Sequence, residues 1–139
     1  MKILLLLLVT AILWGTTPII EKVGLTRVQP LTGVTIRSIA VIVVLFLFLL
    51  FTGKLKETLA VDFKTIVIFS ISGVLAGLIG MITYFAALRA GATSGIVPIA
   101  ATYPLVTAIL SVLILGEQVT PTRIFGTIFI VIGIWLVQV

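Results

Sequence analysis

The chain has 139 residues, of which 61% are hydrophobic and only 9% charged, with a formal charge of +5. Soluble domains carry about 25% charged residues, so a water-soluble fold is excluded. There is no Cys and no His, and the four acids are scattered, which excludes disulfides and thiolate sites and leaves almost nothing from which to build a catalytic dyad or metal cluster; the expectation is a non-enzyme with no metal and no cofactor.

Five apolar runs fill the sequence: Ile3 to Ile20, Leu31 to Thr52, Ile66 to Leu88, Thr93 to Leu115, and Ile124 to Val139 with Thr120 to Arg123 ahead of it. A helix crosses about 30 Å of hydrocarbon with roughly 20 mainly apolar residues and satisfies its own backbone there. The expectation is an all-α integral membrane bundle of five transmembrane helices, a single domain over residues 1–139 with spans at about 3–24, 31–52, 65–88, 93–115 and 121–139. The lipid bilayer is its first partner. The nine basic residues form no run with interleaved aromatics, so nucleic acid is not expected.

In the first run, Met1-Lys2 and Ile3 to Val9 look like the start of a signal peptide, but apolar character continues past Trp14 and no Ala-x-Ala-like site follows. An uncleaved span is expected, with Gly24 as a left-handed stop. Thr10, Trp14, Thr17, Pro18 and Glu21 recur at spacings of three and four and share one helical face. Such a stripe faces a cavity or another helix, the alternative for Trp14 being plain packing.

Pro30 suits the first turn of the second span. Arg37 is the one charge well inside a span, roughly 9 Å past its start at 1.5 Å per residue. It either snorkels back to the surface or faces inward, pairs with carbonyls or a carboxylate, and offers charge to an anionic substrate. After Gly53, the spacing of Leu55, Leu59 and Phe63 predicts a short interfacial helix, with Asp62 or Thr65 capping the third span.

The third span aligns Ser70, Gly73, Gly77, Gly80 and Tyr84; the glycines suit close helix packing, and the Tyr84 hydroxyl needs a polar partner. The turn Arg89 to Ala92 is short enough to predict an antiparallel hairpin with the fourth span. In that span Pro98 and Pro104 unpair the carbonyls of Ser94 and Ala100, beside Thr102 and Tyr103. Interrupted mid-membrane helices point to transporter binding sites, a mere kink being the alternative. Gly116 can end the span, Thr120 cap the fifth and Pro121 open it, with Glu117 expected in a structural role, capping or paired with Arg123.

With the N-terminus inside, Lys2, Lys54, Lys56, Lys64 and Arg123 lie on the cytoplasmic face and Lys22, Arg27 and Arg89 outside, a mild bias that leaves dual topology open. Five spans put the termini on opposite faces, N-terminus cytoplasmic and C-terminus outside. There is no internal duplication, so any inverted-repeat symmetry must come from a partner chain.

Taken in order, Trp14-Gly15 with Pro18 and Lys22, Pro30-Leu31 then Arg37, Tyr84-Phe85-Ala86-Ala87-Leu88, Pro98 and Pro104, Leu115-Gly116-Glu117, and Gly126 with Gly133 resemble the EamA domain of the drug/metabolite transporter superfamily, in its short five-span bacterial and archaeal branch. That resemblance implies one half of a ten-helix inverted-repeat transporter in a prokaryotic inner membrane, completed by an antiparallel homodimer or a paired EamA-like subunit. It also implies export of a small polar or anionic, amino-acid-like metabolite by alternating access. Trp14, Thr17, Pro18, Arg37, Tyr84, Pro98, Thr102, Tyr103 and Pro104 are the candidates for the substrate pathway, and Glu21 for coupling or gating. The first span has no mid-membrane glutamate of the kind the small multidrug exporters use, which disfavours lipophilic cations. The alternatives are a non-transporting assembly subunit and a flippase of a lipid-linked substrate.

Overall fold

A computed structural model of the protein describes residues 2–137. The regular structure among them is entirely helical: α1 (Lys2–Leu25), α2 (Pro30–Thr52), α3 (Leu55–Leu59), α4 (Phe63–Ser72), a π-helical stretch (Gly73–Gly80), α5 (Met81–Ala90), α6 (Thr93–Ala100), α7 (Tyr103–Leu115) and α8 (Pro121–Leu136). Four continuous apolar helices are long enough to cross a membrane: Lys2–Leu25, Pro30–Thr52, Phe63–Ala90 and Thr93–Leu115. The protein is an all-α, multi-pass membrane protein. The fifth expected span corresponds to α8, an apolar helix whose 16 described residues make it shorter than the four that are long enough to cross; residues 138–139 lie outside the described residues.

Local chemistry explains where the helices stop. Gly53 and Gly116 adopt left-handed φ of 70° and 65°. Each is followed by a backbone amide that folds back on the helix end: Lys54 N–H donates to the Leu49 carbonyl at 3.1 Å, and Glu117 N–H to that of Ser111 at 3.2 Å. Pro30 and Pro121 open α2 and α8, where a missing N–H costs nothing. The Asp62 carboxylate accepts the Thr65 hydroxyl at 2.7 Å and the Thr65 N–H at 3.0 Å, capping α4. These two bonds hold the exposed carboxyl below the usual aspartate range.

Four expectations need correction. Gly24 is not a left-handed stop; it continues α1, which ends at Leu25. The short helix after α2 stops at Leu59, so Phe63 belongs to α4 instead of sharing a face with Leu55. Thr120 occupies the N-cap position of α8, but its hydroxyl bonds that of Thr122 at 3.0 Å and no backbone amide. Glu117 neither caps a helix nor pairs with Arg123.

The described residues divide into two compact units, one up to Arg89 and the other from Ala90 onward. In the first, the buried side chains Pro18, Leu25, Val34, Phe85 and Leu88 gather where the C-terminal end of α1, the N-terminal end of α2 and α5 meet. Gly33 allows this: a Cβ there would stand 3.2 Å from the Phe85 ring and 3.4 Å from Leu25. The remaining lengths of these helices, Ile3 to Val9, Val41 to Phe48 and Ile66 to Val74 among them, present apolar side chains outward, as lipid-facing surfaces do. In the second unit no described residue is fully buried. Its long helix is broken at Ala101-Thr102, where the Thr102 hydroxyl and N–H both turn back to the Ile99 carbonyl.

Threonine hydroxyls well inside the spans are satisfied by their own helices. Thr10 donates to Leu6, Thr17 to Leu13, Thr35 to Leu31, Thr107 to Tyr103 and Thr127 to Arg123, at 2.7 to 3.1 Å. A threonine stripe therefore does not by itself require a cavity.

Candidate functional site

Within the first unit, one turn below the buried cluster, α1 and α2 bring together Glu21 and Arg37. Their side chains approach with Arg37 Nε 3.6 Å from Glu21 Oε1. The juxtaposition follows from the hairpin: Leu25 packs near Gly33, so the residues four before and four after that contact fall opposite each other. This is the one ion pair among the described residues.

The pair is asymmetric. The Glu21 side chain is 11% exposed and Arg37 44% exposed, so the anion is hidden and the cation is reachable. At 3.6 Å the contact is an ion pair without a hydrogen bond, and Glu21 Oε1 is buried and accepts none. Unit charges about 4 Å apart attract by roughly 4 kcal/mol at an effective dielectric of 20, a figure that the exposure of Arg37 reduces. The guanidinium has five N–H donors, and no hydrogen bond from Arg37 to another described residue is made. It retains the planar fork that binds carboxylates in bidentate fashion.

Both side chains line a cavity of about 340 Å³, together with Thr17, Gly24, Leu25, Val28, Gly33, Ile36 and Phe85. Its walls are apolar except for Thr17 and the ion pair, the usual pattern of a small-molecule pocket, and its size lies at the low end of such pockets. Tyr84, half-buried on α5, adjoins the lining residue Phe85, their rings 6.2 Å apart.

Two further contacts secure this end of the unit. Lys22 Nζ donates to the carbonyls of Leu88 and Arg89 at the C-terminal end of α5. A cation there meets both orphan carbonyls and the negative end of the helix dipole. Arg89 in turn donates to the Gln29 side chain in the α1–α2 loop.

Of the expected pathway residues, the structure puts Thr17, Glu21 and Arg37 on this cavity; Pro18 is buried and Tyr84 half-buried, and neither lines it. Trp14, at 65% exposure, points outward on α1. Pro98, Thr102, Tyr103 and Pro104 lie in the second unit, at and around the break between α6 and α7. They do not line that unit's own cavity, about 830 Å³ between α7 and α8, which is walled by Leu105, Ala108, Val112, Ile124 and Ile128 with Glu117 and Gln118. Sequence reasoning missed Lys22 as a tether and Gly33 as the seat of Phe85. It also missed the π-helical stretch, whose one available signal was the Gly73, Gly77 and Gly80 series.

The sequence profile described as the EamA-like transporter family matches residues 1–139. An uncharacterized protein of Methanocaldococcus jannaschii is 28% identical over 132 residues, 95% of this chain and 93% of its own. An uncharacterized transporter in a cobO 3′ region of Sinorhizobium sp is 26% identical, again over 95% of this chain and 93% of its own. An uncharacterized transporter of Archaeoglobus fulgidus is 26% identical over 96% of this chain but 47% of its own, so the chain spans about half the length of that relative. No solved structure matches.

Proposed function

The chain belongs to the EamA-like transporter family, and from that premise we propose that it is a secondary transporter of a small polar or anionic metabolite, working by alternating access between two five-helix units. The observation that carries this reading is the Glu21–Arg37 pair on a cavity wall in a helix surface otherwise suited to lipid. Ionisable residues are expensive at such depth and persist where they meet cargo, water or each other. Thr17 and Arg37 touch the substrate, Arg37 attracting its anionic group. Trp14, Pro18, Tyr84, Pro98, Thr102, Tyr103 and Pro104 contribute to the same passage in the assembled transporter, and Glu21 couples or gates it.

The half-length relation to the Archaeoglobus fulgidus transporter supports assembly from two units. The second is an inverted copy of this chain or a paired relative, in a prokaryotic inner membrane, with the N-terminus cytoplasmic in the favoured orientation and export as the direction.

The test is uptake of candidate metabolites into proteoliposomes with and without Arg37→Ala. Loss of a charged hydrogen-bond donor worth about 1.5–3 kcal/mol lowers uptake roughly 10- to 100-fold. Equal rates remove Arg37 from the site.

A second reading is favoured by the absence of any fully buried residue among those described in the second unit. There the chain is a non-transporting subunit covered by a larger membrane partner. Crosslinking in native membranes that yields a heteromeric product alone, with purified protein that moves nothing, selects it.

A further inference from the structure

We propose that Glu21 and Arg37 form an exchangeable pair: a small carboxylate monoanion takes the Arg37 guanidinium from Glu21, Glu21 takes one proton from water, and anion and proton cross together. The inference rests on the transporter reading above and specifies its substrate class and coupling.

Three observations lead there. The contact between the two charges is loose, 3.6 Å with no hydrogen bond, so a ligand that makes two N–H···O bonds to the same guanidinium competes with it on favourable terms. The cation is the reachable member of the pair and faces a cavity sized for a small molecule, whereas Glu21 Oε1 is shut away with no hydrogen-bond donor. Finally, charge must balance. With the native pair the site is neutral; a bound monoanion makes it negative by one, and a proton on Glu21 restores neutrality. The step forms one O–H bond on the Glu21 carboxylate and breaks one in a hydronium ion of the adjoining solution; on the far side the anion leaves, Glu21 gives the proton back to water and re-pairs with Arg37, which stays protonated throughout.

The groups around Glu21 leave it as the proton acceptor. Arg37 faces it from α2 and keeps its charge at any accessible pH. Tyr84 lies on α5 beside the cavity-lining Phe85, and a neutral phenol supplies no competing charge. On α1 itself, neighbouring Lys22 bonds the carbonyls of Leu88 and Arg89.

The experiment uses the full chain in lipid nanodiscs, in weak buffer containing a pH-indicator dye. Radiolabelled pyruvate serves as the probe in equilibrium dialysis, followed by pyruvate flux in proteoliposomes under an imposed pH gradient. The wild type is expected to take up one proton for each pyruvate bound and to accumulate pyruvate with the proton gradient. Glu21→Gln should still bind pyruvate, at least as tightly, with no proton uptake, and its flux should lose its response to pH. Arg37→Gln should lose pyruvate binding at least tenfold, while Arg37→Lys, which keeps the charge without the fork, should retain part of it. The elution profile and helical circular dichroism of each variant identify any that fail to fold.

Pyruvate bound or carried by the wild type with no proton uptake overturns the exchange and leaves the transporter reading standing. Binding and proton uptake unchanged in both glutamine variants overturn the pair as the site. If the wild type neither binds nor moves pyruvate while proteoliposomes carry another class of solute, the carboxylate inference falls and transport survives; if nothing is carried at all, both fall.

Discussion

The two units of this chain hold themselves together in different ways. Up to Arg89, three helices share a small buried cluster, an ion pair, a lysine tether across helices and a glycine that seats an aromatic ring. From Ala90 onward, polar side chains bond mainly within their own helices and loops, and no described residue is fully buried. In lipid there is little hydrophobic gain from bringing two apolar helices together, so fixed positions come from close van der Waals packing and interhelical polar bonds. The first unit has both. The second, taken by itself, has no such buried cluster among its described residues.

That contrast can be broken most directly at Phe85. Removing its ring empties the centre of the first unit, and Phe85→Ala should cost roughly 3 kcal/mol, the low end for large-to-small core changes. Thermal unfolding in nanodiscs measures it; a loss under about 1 kcal/mol would mean that the cluster does not hold the unit. A smaller effect is expected at Gly80, where a Cβ would stand 3.1 Å from the Leu75 carbonyl oxygen. Although alanine is the better helix former by about 1 kcal/mol, Gly80→Ala should destabilise by about 1–2 kcal/mol through that overlap. A stabilised Gly80→Ala variant would show that the π-helical stretch relaxes to α at no penalty. The smallest effect is expected in the second unit: Ile109 is 52% exposed, and Ile109→Ala in the isolated chain should change stability by less than about 0.5 kcal/mol. A clearly larger loss, or one that appears when a second copy or partner is co-reconstituted, would reveal a surface that covers α7.

Much of the architecture was readable from residues because lipid imposes a simple rule. Uninterrupted apolar runs marked the spans, Pro30 and Pro121 marked two helix starts, Gly116 one stop, and Asp62, one of two candidates with Thr65, one cap, all features decided within a few residues. Gly24 misled because glycine permits a left-handed turn without demanding one, and the helix there gains more from continuing to Leu25. The π-helical geometry was hidden because it depends on i to i+5 bonding, for which the spacing of Gly73, Gly77 and Gly80 serves equally as a packing stripe. Arg37 was identifiable as an anomaly, but its partner was not: Glu21 sits 16 positions away, and only the Leu25–Gly33 approach sets the register that makes them neighbours. Lys22 stood among the residues that carry the family resemblance, but nothing in the sequence pointed to the Leu88 and Arg89 carbonyls it meets.

The buried cluster of the first unit lies at one end of its helices, and no side chain is fully buried at their other ends. A helix of 23 residues is about 35 Å long. Fastened at one extremity, it acts as a lever arm: swinging through about 5° moves the distant tip about 3 Å, with hardly any rearrangement at the hinge. In the alternating-access cycle proposed above, small adjustments around Glu21, Arg37 and Phe85 would be geared into wider movements at the far ends of these helices.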